Sequence, residues 1–255
     1  MFGTVFDIVF NGFDPLVATG LLAASFAGSF VTVAFGIGGG VLLLAVMASL
    51  MPPAALIPVH GVVQLGSNLF RALLLRAHVH WPPVAVFVAG SVVGVAVGGV
   101  VAINLPPAVV QIGIGGFVIY SVLSSPPVWL SRQGLVIGAL SSFLSMFFGA
   151  TGVFVANFVK SLNLPRQTHV ATHATLMTCQ HLLKIVTFGV LGFAFGPWVL
   201  FILAMIGAGF LGTVIGRRVL ISMSDTGFRQ ALNVILVLLS IRLIFTGIAQ
   251  LWVGA

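Results

Sequence analysis

Charged side chains are scarce in this sequence. Of its 255 residues only 5% are Asp, Glu, Lys or Arg, and 60% are hydrophobic, with a mean hydropathy of +1.25. A soluble domain carries about 25% charged residues, so this chain could not cover a surface that faces water. A soluble protein is therefore excluded, and the sequence predicts an all-α polytopic membrane protein with the lipid bilayer as its solvent.

Acidic residues and cysteines are scarcer still. The only carboxylate side chains belong to Asp7, Asp14 and Asp225, against ten Lys and Arg. The cations are scattered among apolar runs without a basic stripe, which argues against nucleic acid as a partner. Positive charge without acidic partners favours a small anionic ligand instead. A single cysteine, Cys179, excludes an intrachain disulfide and a cysteine-rich metal site.

The sequence repeats itself when it is shifted by 113 residues, from Phe35 to Phe148. The Gly-rich segment FGIGGG at 35–40 then falls on FGATGV at 148–153. Rare residue types coincide as well, namely Pro52 with Pro165, His60 with His173, Arg71 with Lys184, and the glycine pairs Gly94 with Gly207 and Gly99 with Gly212. We predict an internal duplication inside one transmembrane domain at 1–255. The repeats span 15–124 and 133–253, and a Pro-rich linker at 125–132 joins them.

Each predicted repeat contains five apolar stretches, separated by breaks rich in proline and glycine. In the first repeat they span 15–35, 39–51, 54–75, 83–103 and 107–124, and in the second 133–148, 152–163, 167–191, 195–216 and 229–253. The second stretch of each repeat is too short to cross a bilayer. We therefore expect each repeat to be a helical hairpin with a Gly-rich tip plus three transmembrane helices.

The distribution of Lys and Arg predicts that the two repeats are inverted, because cytoplasmic loops collect these residues. In the first repeat the loop after the third stretch is basic, through Arg71 and Arg76, whereas the equivalent loop of the second repeat is uncharged. The other connections show the reverse bias. Inverted repeats are a common plan of secondary transporters. We expect a multi-pass protein of the cell inner membrane, with both termini on the non-cytoplasmic side and an N-terminal segment that is retained because it lacks a basic signal-peptide region.

The glycine motifs predict helix starts inside the membrane. A short helix beginning near Gly38 and Gly39, or near Thr151 and Gly152, presents unpaired N–H groups and a partial positive charge that suit an anion. Backbone opened in this way survives only when it is buried in protein or lines a wet cavity. The alternative is that the glycines only let helices pack closely, as small residues commonly do in membranes.

The third stretch of each repeat carries a stripe of polar residues on one helix face. We predict that these side chains bind the substrate: His60, Gln64, Ser67, Asn68 and Arg71 in the first repeat, and His173, Gln180, His181 and Lys184 in the second. The alternatives are that the histidines are packed core residues, that the amides bind neighbouring helices, and that the arginine extends to the membrane surface. The membrane segments hold no carboxylate for proton or sodium coupling, so His60 or His173 is the candidate proton carrier.

FGIGGG at 35–40, followed by MPPAALIPVHGVVQLGSNLFRALLLRAHVHW at 51–81, resembles the TauE/SafE sulfite exporter family. The shared pattern is a Gly-rich turn, a short apolar helix, a proline after a leucine, a polar helix and a basic loop ending near a tryptophan. The resemblance spans about 20–245, and the second copy departs from it at Ala150, Thr151 and Val153. It implies a permease for sulfur oxyanions or small organosulfonates.

The leading hypothesis is a secondary transporter of a small sulfur-containing anion, not an enzyme, without a cofactor. Arg71 and Lys184 would attract the anion at opposite entrances, and a homo-oligomer is compatible with the sequence. The alternative is a membrane metalloprotein or haem protein, since His169 and His173 have the i, i+4 spacing of two ligands on one helix. A subunit that only anchors a partner is the third hypothesis.

Overall fold

The computed structural model describes residues 9–10, 12–35, 38–102, 106–124, 127, 129–219 and 225–253. Within these residues the chain forms ten α-helices and no strand. They are α1 Pro15–Phe35, α2 Gly39–Leu50, α3 Pro53–Leu74, α4 Pro82–Ala102, α5 Pro107–Leu123, α6 Gly134–Phe148, α7 Gly152–Ser161, α8 Arg166–Val190, α9 Val199–Val219 and α10 Asp225–Val253. The expected N-terminal segment before residue 9, residues 36–37 of the first Gly-rich turn and part of the linker lie outside the described residues.

The helices follow the ten apolar stretches, so the prediction of an all-helical fold is confirmed. Four of the described helices are long and apolar enough to cross a membrane by length and composition. These spans are Pro15–Val33 in α1, Pro82–Val101 in α4, Gly196–Gly216 in α9 with the turn before it, and Asn233–Trp252 in α10. Helices α2 and α7 have 12 and 10 residues. At 1.5 Å per residue they span about 18 and 15 Å, roughly half of a 30 Å hydrocarbon core.

Prolines decide where the short helices give way to the polar ones. Pro52 is extended and Pro53 begins α3, while Pro165 is extended and α8 begins at the next residue. Proline fits the first turn of a helix, where its missing N–H has no intrahelical partner, and it disfavours helical backbone in the residue before it. The two breaks therefore recur at equivalent points of the predicted repeats.

Glycines bring α4 against α6 and α9 against α1. A Cβ atom at Gly94 would collide with the carbonyl oxygen of Ala139, and one at Gly212 with the carbonyl oxygen of Phe26. Ala139 and Phe26 are equivalent under the 113-residue offset, so these contacts pair Gly94 with Gly212 rather than with Gly207. The main reason is length: α8 has 25 residues and α3 has 22, and the helix that follows starts at Val199 rather than at the residue equivalent to Pro82, which accounts for most of the shift.

Two pairs of equivalent helices meet in antiparallel directions. In α3 and α8, Gly61 contacts Lys184, whereas beyond the end of α3 the backbone N–H of His80 donates to Thr172 Oγ1 at 2.9 Å. In α5 and α10, Gly115 contacts Ile244 and Ser240, whereas Gly247 contacts Ile112 and Ala108. These contacts place the polar faces of α3 and α8 next to each other.

We predict that Gly94→Ala lowers the melting temperature of the protein in detergent, because the added methyl group meets backbone that cannot rotate away. Overpacking of this kind costs about 1–3 kcal/mol. Gly116→Ala is the matched control, since a Cβ atom at Gly116 has no heavy atom within 4 Å. Thermal unfolding followed by tryptophan fluorescence measures both. Equal melting temperatures for the two variants would contradict close packing of α4 on α6.

Candidate functional site

A cavity of about 260 Å³ lies between the two sets of five helices, and we call it the shared cavity. Its wall includes the first turns of both short helices, with Gly38, Gly40 and Val41 on one side and Gly152 and Val153 on the other. One water molecule needs roughly 10–15 Å³ on this kind of measure. The shared cavity therefore has room for a small anion with an organic group.

Both short helices begin without a side-chain cap. Gly38 precedes α2 with φ 102° and ψ −30°, and Thr151 precedes α7 with φ −89°; neither residue accepts a hydrogen bond from the helix through its side chain. The φ of Gly38 is one that glycine adopts readily and other residues do not. The first N–H groups of a helix have no intrahelical acceptor. Two uncapped helix starts thus face the shared cavity, and each favours negative charge.

Each polar helix supports the short helix of its own repeat through a histidine. His60 Nε2 donates to the carbonyl oxygen of Gly40 at 3.1 Å, and His173 Nε2 donates to that of Gly152 at 3.4 Å. A carbonyl only accepts hydrogen bonds, so the proton of each ring must be on Nε2. The two histidines, which are equivalent under the 113-residue offset, therefore bind the first turns of α2 and α7, and both turns line the shared cavity.

Arg71 is buried, with 9% of its surface exposed, and it lines the shared cavity. Its Nη2 donates to Asn68 Oδ1 at 3.2 Å and to Ser67 Oγ at 3.4 Å. The alternative that Arg71 only extends to the membrane surface is wrong. No carboxylate of α1–α9 can neutralise it, because the sequence has no acidic residue between Asp14 and Asp225.

The structure brings together seven of the predicted site residues and places six just behind them. The lining residues are Gly38, Gln64, Asn68, Arg71, Gly152, His173 and His181. The others are Gly39, His60, Ser67, Thr151, Gln180 and Lys184, which support the lining. Gln180, for example, donates to Thr151 Oγ1 at 2.7 Å and accepts from Ser141 Oγ at 3.2 Å. Substrate contact stays a prediction for all thirteen residues.

Lys184 reaches the second Gly-rich turn. Its Nζ donates to the carbonyl oxygen of Gly149 at 3.3 Å, at the C-terminal end of α6, and the side chain is fully buried. A cation is favourable at this end of a helix. Gly61 of α3 provides the space, since a Cβ atom there would lie 2.9 Å from Lys184 Cε. Arg71 and Lys184 are equivalent in sequence, yet one faces the shared cavity and the other a backbone turn.

Sequence reasoning missed the part of the wall that comes from outside the polar helices. Ser121 of α5, Asn233 of α10 and Thr32 of α1 all line the shared cavity. Each lies in a largely apolar helix that carries a few other polar residues, such as Ser25 and Ser29 in α1 and Gln230 in α10, and no sequence motif distinguishes the lining residues from these. The apolar part of the wall includes Val122, Met177 and Leu236.

The structure gives no support to the metalloprotein alternative. Among the described residues, no three His, Cys, Asp or Glu side chains form a group that could hold a metal ion. In this part of the chain, His169 and His173 have no third side chain of these types beside them that would complete a metal site.

Comparison with protein families finds one match, to the family described as Sulfite exporter TauE/SafE, over residues 21–243. The match includes both Gly-rich turns and both polar helices. No similar protein is found among the curated proteins or the solved structures.

We predict that the shared cavity concentrates anions. The experiment uses a Cys179→Ser background and compares the rates at which an introduced cysteine reacts with an anionic and with a cationic methanethiosulfonate reagent. The ratio of the anionic to the cationic rate should be about tenfold higher for Ser121→Cys than for a cysteine at the exposed end of the helix, because positive potential raises the local anion concentration. Ser124→Cys, exposed at the end of the same helix, is that control. Adding Arg71→Gln should remove the anion preference at residue 121.

Mass spectrometry measures the labelling rates at residues 121 and 124 with each reagent and so tests the anion preference of the shared cavity. The same charge preference at residues 121 and 124 would show that the shared cavity has no special affinity for anions.

Proposed function

The chain belongs to the Sulfite exporter TauE/SafE family, and from that premise we propose that it is a secondary transporter of a small sulfur-containing anion, such as sulfite or an organosulfonate. Members of this family are transporters rather than enzymes. One observation carries the proposal: two uncapped helix starts, Arg71 and His173 surround a cavity that no carboxylate of α1–α9 can neutralise. A negatively charged solute is the partner that this arrangement lacks.

The anion binds at the mid-membrane point where the short helices begin. The N–H groups next to Gly38 and Gly152 donate hydrogen bonds to the anion and stabilise its negative charge. Arg71 supplies a charge-assisted hydrogen bond, which is stronger than a neutral one. Gln64 and Asn68 add amide donors, and the apolar wall receives the organic part of a sulfonate. His60 and Lys184 keep the two turns open by binding the carbonyls of Gly40 and Gly149.

Transport proceeds by alternating access between two inverted repeats, each a hairpin with a Gly-rich tip plus three further helices. The antiparallel contacts of α3 with α8 and of α5 with α10 support this arrangement, because equivalent helices of inverted repeats run in opposite directions. The contacts of α4 with α6 and of α9 with α1 support it too, since each joins the fourth helix of one repeat to the first helix of the other. The halves rock against each other around the anion.

The protein lies in the inner membrane with both termini on the non-cytoplasmic side. The positive-inside bias supports this orientation. Arg76 follows α3, and Lys160 and Arg166 flank the break between α7 and α8. These two regions are then both cytoplasmic, although they belong to different connections of the two repeats.

We predict that Arg71→Gln lowers the rate of sulfite flux into proteoliposomes by about tenfold or more, because a hydrogen bond to a charged group contributes about 1.5–3 kcal/mol. Arg76→Gln is the matched control, since Arg76 is exposed in the 3₁₀ turn Arg76–His78. It should keep the flux of the unmodified protein. Equal flux in the two variants, with sulfite or with a sulfonate, would remove Arg71 from the site.

The inverted arrangement predicts that equivalent positions are labelled from opposite sides of the membrane. Ala54 and Gln167 are equivalent, and both are exposed near the starts of α3 and α8. In right-side-out vesicles with Cys179→Ser, a membrane-impermeant maleimide should label Ala54→Cys and leave Gln167→Cys unlabelled. Inverted vesicles should give the reverse result. Labelling of both positions from one side would exclude inverted repeats.

A further inference from the structure

Beside the shared cavity lies a group of three basic side chains, which we call the buried basic cluster: His60, His181 and Lys184. All three are fully buried. The rings of His60 and His181 have their centroids 6.4 Å apart, at an angle of 76°. Lys184 lies one helical turn beyond His181 on the same face of α8, and its Nζ lies near Gly61. His181 alone of the three lines the shared cavity.

His181 differs from His60 and His173, which also lie on the polar helices. His60 and His173 each bind a backbone carbonyl, whereas neither ring nitrogen of His181 has a hydrogen-bond partner among the described residues. The Nδ1 atom of His60 is also unpartnered, and it carries a lone pair because the proton is on Nε2. A buried polar group without a partner is unfavourable, and such a group calls for an explanation.

Among the described side chains, the groups around His181 are basic or neutral. The titratable and charged groups that face it are His60 of α3 and His173 and Lys184 of α8, with Arg71 of α3 beyond His173. Helices α2, α4 and α6 contain no titratable residue other than serine-type hydroxyls, and α7 contains only Lys160. A proton on His181 therefore has no counter-charge from these helices. Charge that is buried in a membrane protein without a partner is strongly disfavoured.

We propose that His181 binds a proton when an anion occupies the shared cavity, so that the transporter carries a proton together with its anion. The proton comes from water and adds to the lone pair of a ring nitrogen, which turns the neutral imidazole into an imidazolium. The new N–H donates to an oxygen of the anion on the cavity side. The anion supplies the counter-charge that the protein lacks, and the proton returns to water when the anion leaves.

This inference rests on the proposed function, and it concerns the coupling of the site rather than its substrate. It assigns the proton to His181 rather than to His60 or His173 because those two rings already hold the turns at Gly40 and Gly152. The coupling is reciprocal: if the anion favours the proton, the proton favours the anion by the same factor.

The test measures anion affinity as a function of pH on the purified full chain in detergent. Methanesulfonate and sulfate are the probes, because neither exchanges a proton with water near neutral pH, whereas sulfite does. Calorimetry should show that the affinity for the anion weakens by up to about tenfold for each pH unit above the pH at which His181 loses its proton in the anion-free protein. In weakly buffered solution, a pH indicator should report uptake of protons when either anion is added.

His181→Gln keeps a hydrogen-bond donor at the cavity and removes the proton site. This variant should bind methanesulfonate with an affinity that does not change with pH, and it should take up no proton. His78→Gln is the matched control, since His78 is an exposed histidine outside the buried basic cluster. It should behave like the unmodified protein.

Three results would overturn the inference. If the unmodified protein binds anions without proton uptake and independently of pH, coupling is absent while anion transport stands. If His181→Gln keeps the pH dependence, the proton lies on another residue. If the unmodified protein binds neither of these anions nor sulfite at any pH, the proposed function fails as well. Proton uptake by the unmodified protein decides the coupling even where His181→Gln does not fold.

Discussion

Interrupted helices inside a membrane create a strict requirement, because lipid offers no hydrogen bonds to backbone N–H and C=O groups. In the proposed arrangement, helices α2 and α7 each begin part-way through the hydrocarbon thickness. Their first carbonyls are bound by His60 and His173, and the turn before α7 is bound by Lys184. Among the described residues, the N–H groups at the two helix starts lie at the wall of the shared cavity. The polar helices therefore bind one set of backbone groups and leave the other set for a ligand.

Close packing of the surrounding helices makes this arrangement possible. Gly28 and Gly39 bring α1 against the start of α2, where a Cβ atom on either residue would meet the backbone of the other. Gly94 and Gly212 act in the same way between α4 and α6 and between α9 and α1. Without a hydrophobic driving force between helices in lipid, such contacts contribute much of the stability of the fold. The glycine content of the chain thus serves packing at most positions and the opened turns at a few. Within the Gly-rich segments, Gly39 packs against Gly28 of α1, which supports the packing interpretation for that residue, whereas the interpretation of the turns as anion-binding helix starts stays a prediction.

Sequence reasoning predicted the helices well and the wall of the shared cavity in part. Helix limits follow from local features, such as Pro52 and Pro165, which act within one turn of the chain. The direction of Lys184 depends on the space above Gly61 in another helix, which no local pattern contains. Ser121 and Asn233 were missed for a related reason, since nothing in the sequence distinguishes them from the other polar residues of their helices, and their place in the wall depends on tertiary packing. The register of Gly94 with Gly212 required the extra length of α8, which a uniform offset ignores.

Arg71 and Lys184 stand at equivalent positions and do different work. Arg71 faces the shared cavity, whereas Lys184 binds the turn at Gly149. A carrier built from two identical halves would rest with equal ease open to either side of the membrane, because symmetry would make its two end states equal in energy. Here the second half uses the charge of Lys184 to bind its own backbone at Gly149. We therefore expect the two access states of the unloaded protein to be unequally populated. The binding site would then be open mainly to one compartment, even without a substrate gradient, and transport would be faster in one direction than in the other.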